Sequence, residues 1–467
     1  MALNFRHLAR VTIEFTTPFK IGAGRGDESK DELVVTDANG LATIPGSSLA
    51  GVIRSAFKSI AGERSCNDVF GFQEKRDGRG SRITFSWANV HDKNNKIVEG
   101  IIDSSLISSD PILSSAKSKT TRDRVRINHQ GVVDDHGKFD EEVVCAGHRF
   151  TFEMELVSDR NDPVWKQLLD LLHDPMVRFG GGTRHGFGAF KVINIKERVF
   201  DLQNAKDFAD YSQLSVSLKV DPQVLQQKSI GLKASSASVA NISIQPEGYW
   251  MWGGGVDVEK ENRQEYKDDA DMAPVRDDRI VWNGDVGQVQ ENVVLIPAAS
   301  VKGAIAHRVA FHYNALKGRF ADHMTPEEIK AHSTAEKNEA VRELFGSIKD
   351  SDGKLEGQRG RVLIDDMYVA NPPESRLLHH VAIDRFTGGA REGMLFSERP
   401  FWQGSPFAEG LSVTLLGKEA VEKIDKDILV ALEKSFDDLA QGRLQMGAGS
   451  GRGHGYFKGT WKWEAQS

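Results

Sequence analysis

Two glycine-rich segments carry residue types suited to holding an anion: Phe179-Gly180-Gly181-Gly182-Thr183-Arg184-His185-Gly186-Phe187-Gly188 and Met446-Gly447-Ala448-Gly449-Ser450-Gly451-Arg452-Gly453-His454-Gly455. Glycine lets backbone N–H groups approach a phosphate closely, and an embedded Arg184 or Arg452 adds a charge-assisted contact. Neither segment has the G-x-x-x-x-G-K-[ST] spacing of a P-loop, so ATP hydrolysis is not supported. A tight turn with a surface arginine would explain one such loop equally well. Two at equivalent positions favour ligand binding.

Further anion-binding candidates lie elsewhere. Pro45-Gly46-Ser47-Ser48 opens a predicted helix, whose first N–H groups and positive dipole end suit a phosphate. Arg54, Lys58 and Lys302 would supplement it, and capping by Ser47 or Ser48 is the plain alternative. Arg122, Arg124 and Arg126 alternate, so on an extended hairpin they share one face and can track a phosphate backbone. Arg385 and Arg391 occupy the counterpart segment. Charges on a solvated hairpin edge also suppress aggregation, which is the competing explanation. Asp27, Asp31 and Asp37 lie in 22–41, and Asp268, Asp269 and Asp271 in the longer acidic stretch 256–279. On composition alone both are solvated loops. The histidines lack H-x-x-x-H or H-E-x-x-H metal spacing. His185 and His454 fall at similar places in the two glycine loops and read as satisfied or RNA-contacting imidazoles.

The elements positioning these residues come in two sets. Ile44-Pro45-Gly46-Ser47-Ser48-Leu49-Ala50-Gly51 is echoed by Ile296-Pro297-Ala298-Ala299-Ser300-Val301-Lys302-Gly303, and INHQGVVDDHGKFDEE (127–142) by IDRFTGGAREGMLFSE (383–398). The same landmarks recur in the same order, which predicts two tandem copies of one domain. The expected division is 1–210 and 211–467, with the join between about 198 and 240. Val11, Ile13 and Phe15 alternate as a strand. Leu49, Ile53, Phe57 and Ile60 recur at helical spacing, as do Trp165, Leu168, Leu169 and Leu172, and later Ile424, Ile428, Leu432 and Phe436. With strands at 82–87, 149–156 and 186–192 the order is βαββαβ. The expected class is α+β: two ferredoxin-like, RRM-like domains, each with a hairpin insertion.

The chain has 467 residues, 60 Lys+Arg against 67 Asp+Glu, a net charge of −7 and 39% hydrophobic residues. That supports real cores and excludes disorder for the bulk of the chain. No run approaches the length of a membrane span. Two cysteines, Cys66 and Cys145, cannot build a disulfide framework, so a reducing cytoplasm is expected. Mild acidity argues against an overall basic coat, not against local patches.

Taken together, these residues resemble the RAMP superfamily of CRISPR-associated proteins, and each half looks like a backbone subunit of a type III effector complex. The resemblance rests on Gly22-Ala23-Gly24, Asp31, Ile44 to Gly51, the thumb-like Ile127 to Glu142 and Gly180 to Gly188. In the second half it rests on Gly253 to Gly255, Ile296 to Gly303, Ile383 to Glu398 and Gly447 to Gly455. The tandem fusion resembles the double backbone subunit of type III-D-like complexes. It implies a ferredoxin-like core per copy, with a thumb hairpin interrupting guide–target pairing. It further implies a subunit that binds guide crRNA, associates with other type III subunits and cuts complementary target RNA. The 2′-hydroxyl of a flipped nucleotide would attack its own adjacent phosphate, leaving a cyclic phosphate. The family's catalytic Asp falls on Asp31. In the second copy the Asp-x-x-Pro context is Asp271-Met272-Ala273-Pro274, with Asp269 as a rival, and Pro297-Ala298-Ala299 departs from the usual Pro-Gly-Ser. That Asp would act as general base or hold a divalent ion, magnesium. Expected RNA contacts are Arg25, Ser47, Ser48, Arg54, Arg122, Arg124, Arg126, Arg184, His185, Lys302, Arg385, Arg452 and His454. The alternatives are a non-catalytic guide scaffold, a ribonuclease processing precursor guide RNA with a histidine such as His185, and a nucleotide-binding enzyme using the glycine loops.

Overall fold

The computed structural model describes residues 3–22, 33–74, 77–128, 132–228, 237–255, 270–333, 338–347 and 357–464. The main elements of the first copy are β1 (Phe5–Phe15), α1 (Gly46–Phe70), β2 (Ile83–Phe85), the hairpin β3 (Thr120–Ile127) and β4 (Val133–Val143), β5 (Arg149–Ser158), α2 (Val164–Leu171) and β6 (Phe190–Asp201). The second copy has β7 (Ala237–Glu247), β8 (Arg276–Asn283), β9 (Val286–Ile296), α3 (Ala298–Leu316), β10 (Val362–Ile364), the hairpin β11 (Leu378–Ile383) and β12 (Ala390–Glu398), β13 (Leu411–Leu416), α4 (Lys426–Ala440) and β14 (Tyr456–Trp463).

The sheets run β6-β1-β5-β2 and β14-β7-β13-β10, every neighbour antiparallel. This is the ferredoxin-like order in both copies, with a hairpin inserted between the second and third sheet strands. Alternation along β1 sends Ala9, Val11, Ile13 and Phe15 into one core with Phe150, Phe152 and Met154 of β5. Leu49, Ile53 and Phe57 of α1 and Trp165, Leu168 and Leu169 of α2 close over them. Each such side chain contributes about 1.5–3 kcal/mol through burial. Phe15 and Phe19 stack at 3.8 Å, and both present an edge contact to Phe150.

Several local expectations are corrected. Helix α1 breaks at Gly62 (φ 78°), and Ile60, expected on the apolar stripe, is 55% exposed. Pro45 is the residue preceding that helix and no side chain caps it, so neither Ser47 nor Ser48 is the cap. Ile424 ends a separate short helix, Lys418–Ile424, because Asp425 in extended conformation starts α4. The end of the acidic stretch at 276–279 is strand, not loop. Residues 205–227 stay with the first sheet. Gln226 and Gln227 pair with β6, and Leu225, Tyr211 and Leu214 pack on Leu8 and Phe200. The expected division at 210/211 falls inside this packed segment.

The two copies dock through β8–β9. Ile280, Trp282 and Val289 pack against Ile112 and Cys145, and Leu295 and Tyr368 against Ala146. Trp282 Nε1 donates to Gly147 O at 2.7 Å, and the Arg149 guanidinium lies 4.0 Å from the Trp282 ring centroid. Both cysteines are buried and free.

Candidate nucleic-acid interface

Backbone hydrogen bonds bring the two glycine loops into register. Gly181 N donates to Lys20 O and Ala448 N to Met251 O; Gly188 N donates to Pro18 O and Gly455 N to Tyr249 O, all at 2.8 Å. His185 N to Gly182 O is matched by Arg452 N to Gly449 O. Gly180, Gly182, Gly186 and Gly188 have positive φ, as do Gly447, Gly449, Gly453 and Gly455. This frame corrects the sequence pairing. His185 is equivalent to Arg452, Phe187 to His454, and Arg184 to Gly451. The loops share a backbone and differ in the side chains they present.

The two loops also differ in setting. The first packs on the second copy, where a Cβ on Gly186 would stand 2.3 Å from the Ala298 Cβ at the start of α3. That start is capped by Asp366, whose Oδ1 accepts from Ala298 N at 2.8 Å. The corresponding start of α1 has Ser47 exposed and Ser48 half-buried. In the second loop a Cβ on Gly453 would meet nothing within 4 Å.

A cluster of cations fills the seam around the first loop: Lys20, Arg124, Arg178, Arg184, Lys302 and Arg359. The carboxylates paired with them among the described residues are Glu141, with Lys20 and Arg124, and Asp365, with Arg178. Arg124 also donates to His185 Nδ1, and Arg184 Nε to Gly360 O at 2.7 Å. Burial, then Arg184 and Arg124, pushes the Lys302 ammonium down to about 8. Burial, then Arg124, Lys302 and Lys20, pushes His185 down to about 3, so it is neutral at pH 7. Arg184 is shifted the same way by burial, Arg359 and Arg178. Desolvated cations that repel one another are relieved by an anion.

Arg122, expected beside Arg124 and Arg126 on a phosphate-tracking face, is instead buried at the seam. Its guanidinium pairs with Asp277 and, at 3.2 Å, Asp366, so its charge is answered within the protein. Arg126 and, at the tip of the second hairpin, Arg385 are exposed. Arg54 is exposed and reaches Asn67 Oδ1 at 3.4 Å. Arg452 Nη2 pairs with the buried Glu398 at 2.5 Å, His380 Nε2 lies 2.9 Å from the same carboxylate, and His454 Nδ1 is 3.5 Å away.

Asp31, Asp269 and Arg25 lie outside the described residues. Val35 N donates to Ile21 O at 2.8 Å and Val275 N to Trp252 O at 2.7 Å. These bonds make Val35 and Val275 equivalent; Asp31 stands four residues before the first and Asp271 four before the second. Asp271 is exposed, and its Oδ2 accepts from Ser397 N at 2.7 Å and Ser397 Oγ at 3.0 Å. Those bonds hold its carboxyl below the usual range. Among the described residues no group of three or more His, Cys, Asp or Glu side chains is placed to hold a metal ion. They therefore offer no preformed seat for the magnesium expected above.

Sequence reasoning missed the β8–β9 hairpin and with it Asp277, Trp282 and the seam. The signal was present: Asn283-Gly284 between alternating apolar runs is a strong hairpin signature. Gly284 adopts φ 63° in that turn.

The RAMP superfamily model matches residues 12–191 and 251–458. Compared with curated proteins, the chain matches none. Among solved structures, a chain of one titled "Cryo-EM structure of the Type III-B Cmr-beta bound to cognate target RNA" is similar at 16% identity and a TM-score of 0.29. The match covers 41% of this chain and 60% of that one. Among the described residues, no helix is long and apolar enough to cross a membrane.

Proposed function

The chain belongs to the RAMP superfamily, and from that premise we propose that it is a guide-crRNA-binding backbone subunit of a type III CRISPR effector complex. The observation carrying this reading is the seam cluster, where Lys302 and Arg184 stand half-buried beside Arg124, and among the described residues Glu141 answers only Arg124 and Lys20. A phosphodiester laid across Lys302 and Arg184 would neutralise charge that no carboxylate among the described residues pairs with, which is how backbone phosphates are held without reading sequence. Exposed Arg126 and Arg385 extend the basic surface along the two hairpins. The test is Lys302→Met in the native assembly. The lysine stem's packing is kept, the melting temperature serves as the folding control, and co-purifying RNA is expected to fall. Unchanged RNA content would overturn the assignment.

The same reading includes cleavage of paired target RNA at two sites, one served by Asp31 and one by Asp271. The 2′-hydroxyl of the nucleotide at the cut attacks its own phosphate, the 5′-oxygen leaves, and a 2′,3′-cyclic phosphate remains. The chain's part is to kink the strand into line and offer a carboxylate to the attacking hydroxyl. Asp31→Ala and Asp271→Ala are each expected to abolish one set of target fragments and leave the other. Fragments produced in excess chelator would remove magnesium from the scheme. Retained cleavage in the double variant would leave a guide scaffold. For the second copy one observation favours that scaffold reading: Ser397 already occupies the Asp271 carboxylate and makes it a weak base. Processing by His185 is disfavoured, because its Nδ1 accepts from Arg124 and the ring is not the imidazolium that a general acid needs at pH 7.

A further inference from the structure

A cavity lies away from the cation cluster, on the helix-free face of the first sheet, with Asp285 of the β8–β9 turn among its lining residues. It has a volume of about 1020 Å³. Its roof is the segment 91–110 and the run 218–222 that leads toward the second copy. The equivalent face of the second sheet has a hollow of only about 450 Å³. The feature is thus peculiar to one copy, unlike the repeated loops.

Its floor is a row across three strands, with Thr12 paired to Thr151 on one side and Asn194 on the other. The hydrogen bonding in that row has a forced direction. Asn95 Nδ2 donates to Asp285 Oδ1 at 2.8 Å, so its Oδ1 faces His91 Nδ1, which must be the protonated nitrogen. His91 Nε2 then accepts from Thr151 Oγ1 at 2.8 Å, and Thr151 in turn accepts from Thr12 Oγ1 at 2.7 Å. Thr12 is left with acceptor capacity only. Beside it Asn194 Oδ1 is buried and has no partner among the described residues. A buried acceptor without a partner is costly, and the register of β1 against β6 shifts between Thr12 and Ile13 beside it.

Of the acids lining the cavity, Asp110 is buried, Asp92 is half-buried, and Asp221 and Asp285 are exposed, Asp285 accepting from Asn95 Nδ2; each is engaged by a donor of the protein. Asp92 accepts from Asn94 N and Lys96 N, Asp110 from Lys93 N, Ile112 N and Leu113 N, and Asp221 binds Lys196 at 2.5 Å. Lys93, Lys96 and Lys219 line the same cavity from exposed positions. The lining is also apolar in part, through Ile97, Val98, Leu106, Leu218 and Pro222.

We propose that this cavity binds a small organic phosphate bearing N–H or O–H donors, of which the nucleoside monophosphates are the type. The donors meet Asn194 and Thr12, the ring lies against the apolar part of the lining and the phosphate reaches the lysines. Its test is calorimetric titration of the full chain with AMP, GMP, CMP, UMP, ribose 5-phosphate and inorganic phosphate. At least one nucleotide is expected to bind saturably at one site per chain, more tightly than phosphate alone. Asn194→Leu is expected to weaken it about tenfold, the worth of one hydrogen bond. Lys93→Ala with Lys219→Ala, both on the surface and safe for folding, is expected to lower affinity and flatten its salt dependence. Co-purifying RNA should be unchanged in both variants, which separates this site from the cation cluster. Absence of saturable binding, equal binding of inorganic phosphate, indifference to both sets of substitutions, or loss of co-purifying RNA would each overturn the proposal. The last result would make the cavity part of an RNA path.

Discussion

Glycine at 186 shows how much a single missing methyl can decide. Its φ is +94°, and a Cβ would stand 2.3 Å from that of Ala298 in the other copy. Its register partner Gly453 has φ +85° and open space around it. Left-handed backbone costs a non-glycine residue about 1–3 kcal/mol in both places, and overpacking adds about 1–3 kcal/mol in the first. Gly186→Ala is therefore expected to lower the melting temperature clearly more than Gly453→Ala; equal losses would show that the seam does not constrain this loop. The glycine run was legible as a string. Which of its residues touches the partner copy was not, because Ala298 lies more than a hundred residues along the chain. The same limit explains the mistaken pairing of His185 with His454. Both loops contain one His and one Arg, and only hydrogen bonds to Lys20 and Met251 reveal the register.

Among the elements, the β8–β9 hairpin and the base of β3 meet in a buried ionic knot. Asp277 and Asp366 share the one guanidinium of Arg122, with the Tyr368 hydroxyl 3.5 Å from Asp277. Burial, only partly offset by Arg122 and Ala298 N–H, pushes the Asp366 carboxyl from 3.8 to about 6. A carboxyl raised on folding contributes stability that is complete below its unfolded pKa and is lost as pH rises through the folded value. The native chain should thus gain stability relative to Asp366→Asn as pH falls from 7 to 5, by an amount on the order of 1 kcal/mol. Denaturant titrations of both proteins at the two pH values check this, and parallel pH profiles would refute it. Asn keeps an acceptor for Ala298 N–H, so the comparison isolates the charge. The strands of this knot were hidden from sequence reasoning by the acidic run at 256–271, whose charge masked the alternation after Arg276.

For the whole molecule, the seam makes a testable link between pH, salt and RNA. Lys302 is held down to about 8, and a bound phosphate would raise it again. RNA binding on the proposed reading therefore takes up a proton, and affinity should fall as pH rises through 8. Lys302→Met should abolish that fall and reduce the slope of log affinity against log salt by about 1. Filter binding across pH and salt measures both, and an unchanged slope would exclude the lysine from the phosphate path. The α+β class, the duplication and the βαββαβ order were legible in the chain itself, because alternating and helical apolar periods and turn residues are local properties. Tertiary structure decided what those residues do together. It spent Arg122 on two carboxylates, made His185 neutral and left Lys302 among cations; burial and charge proximity depend on segments that meet only after folding.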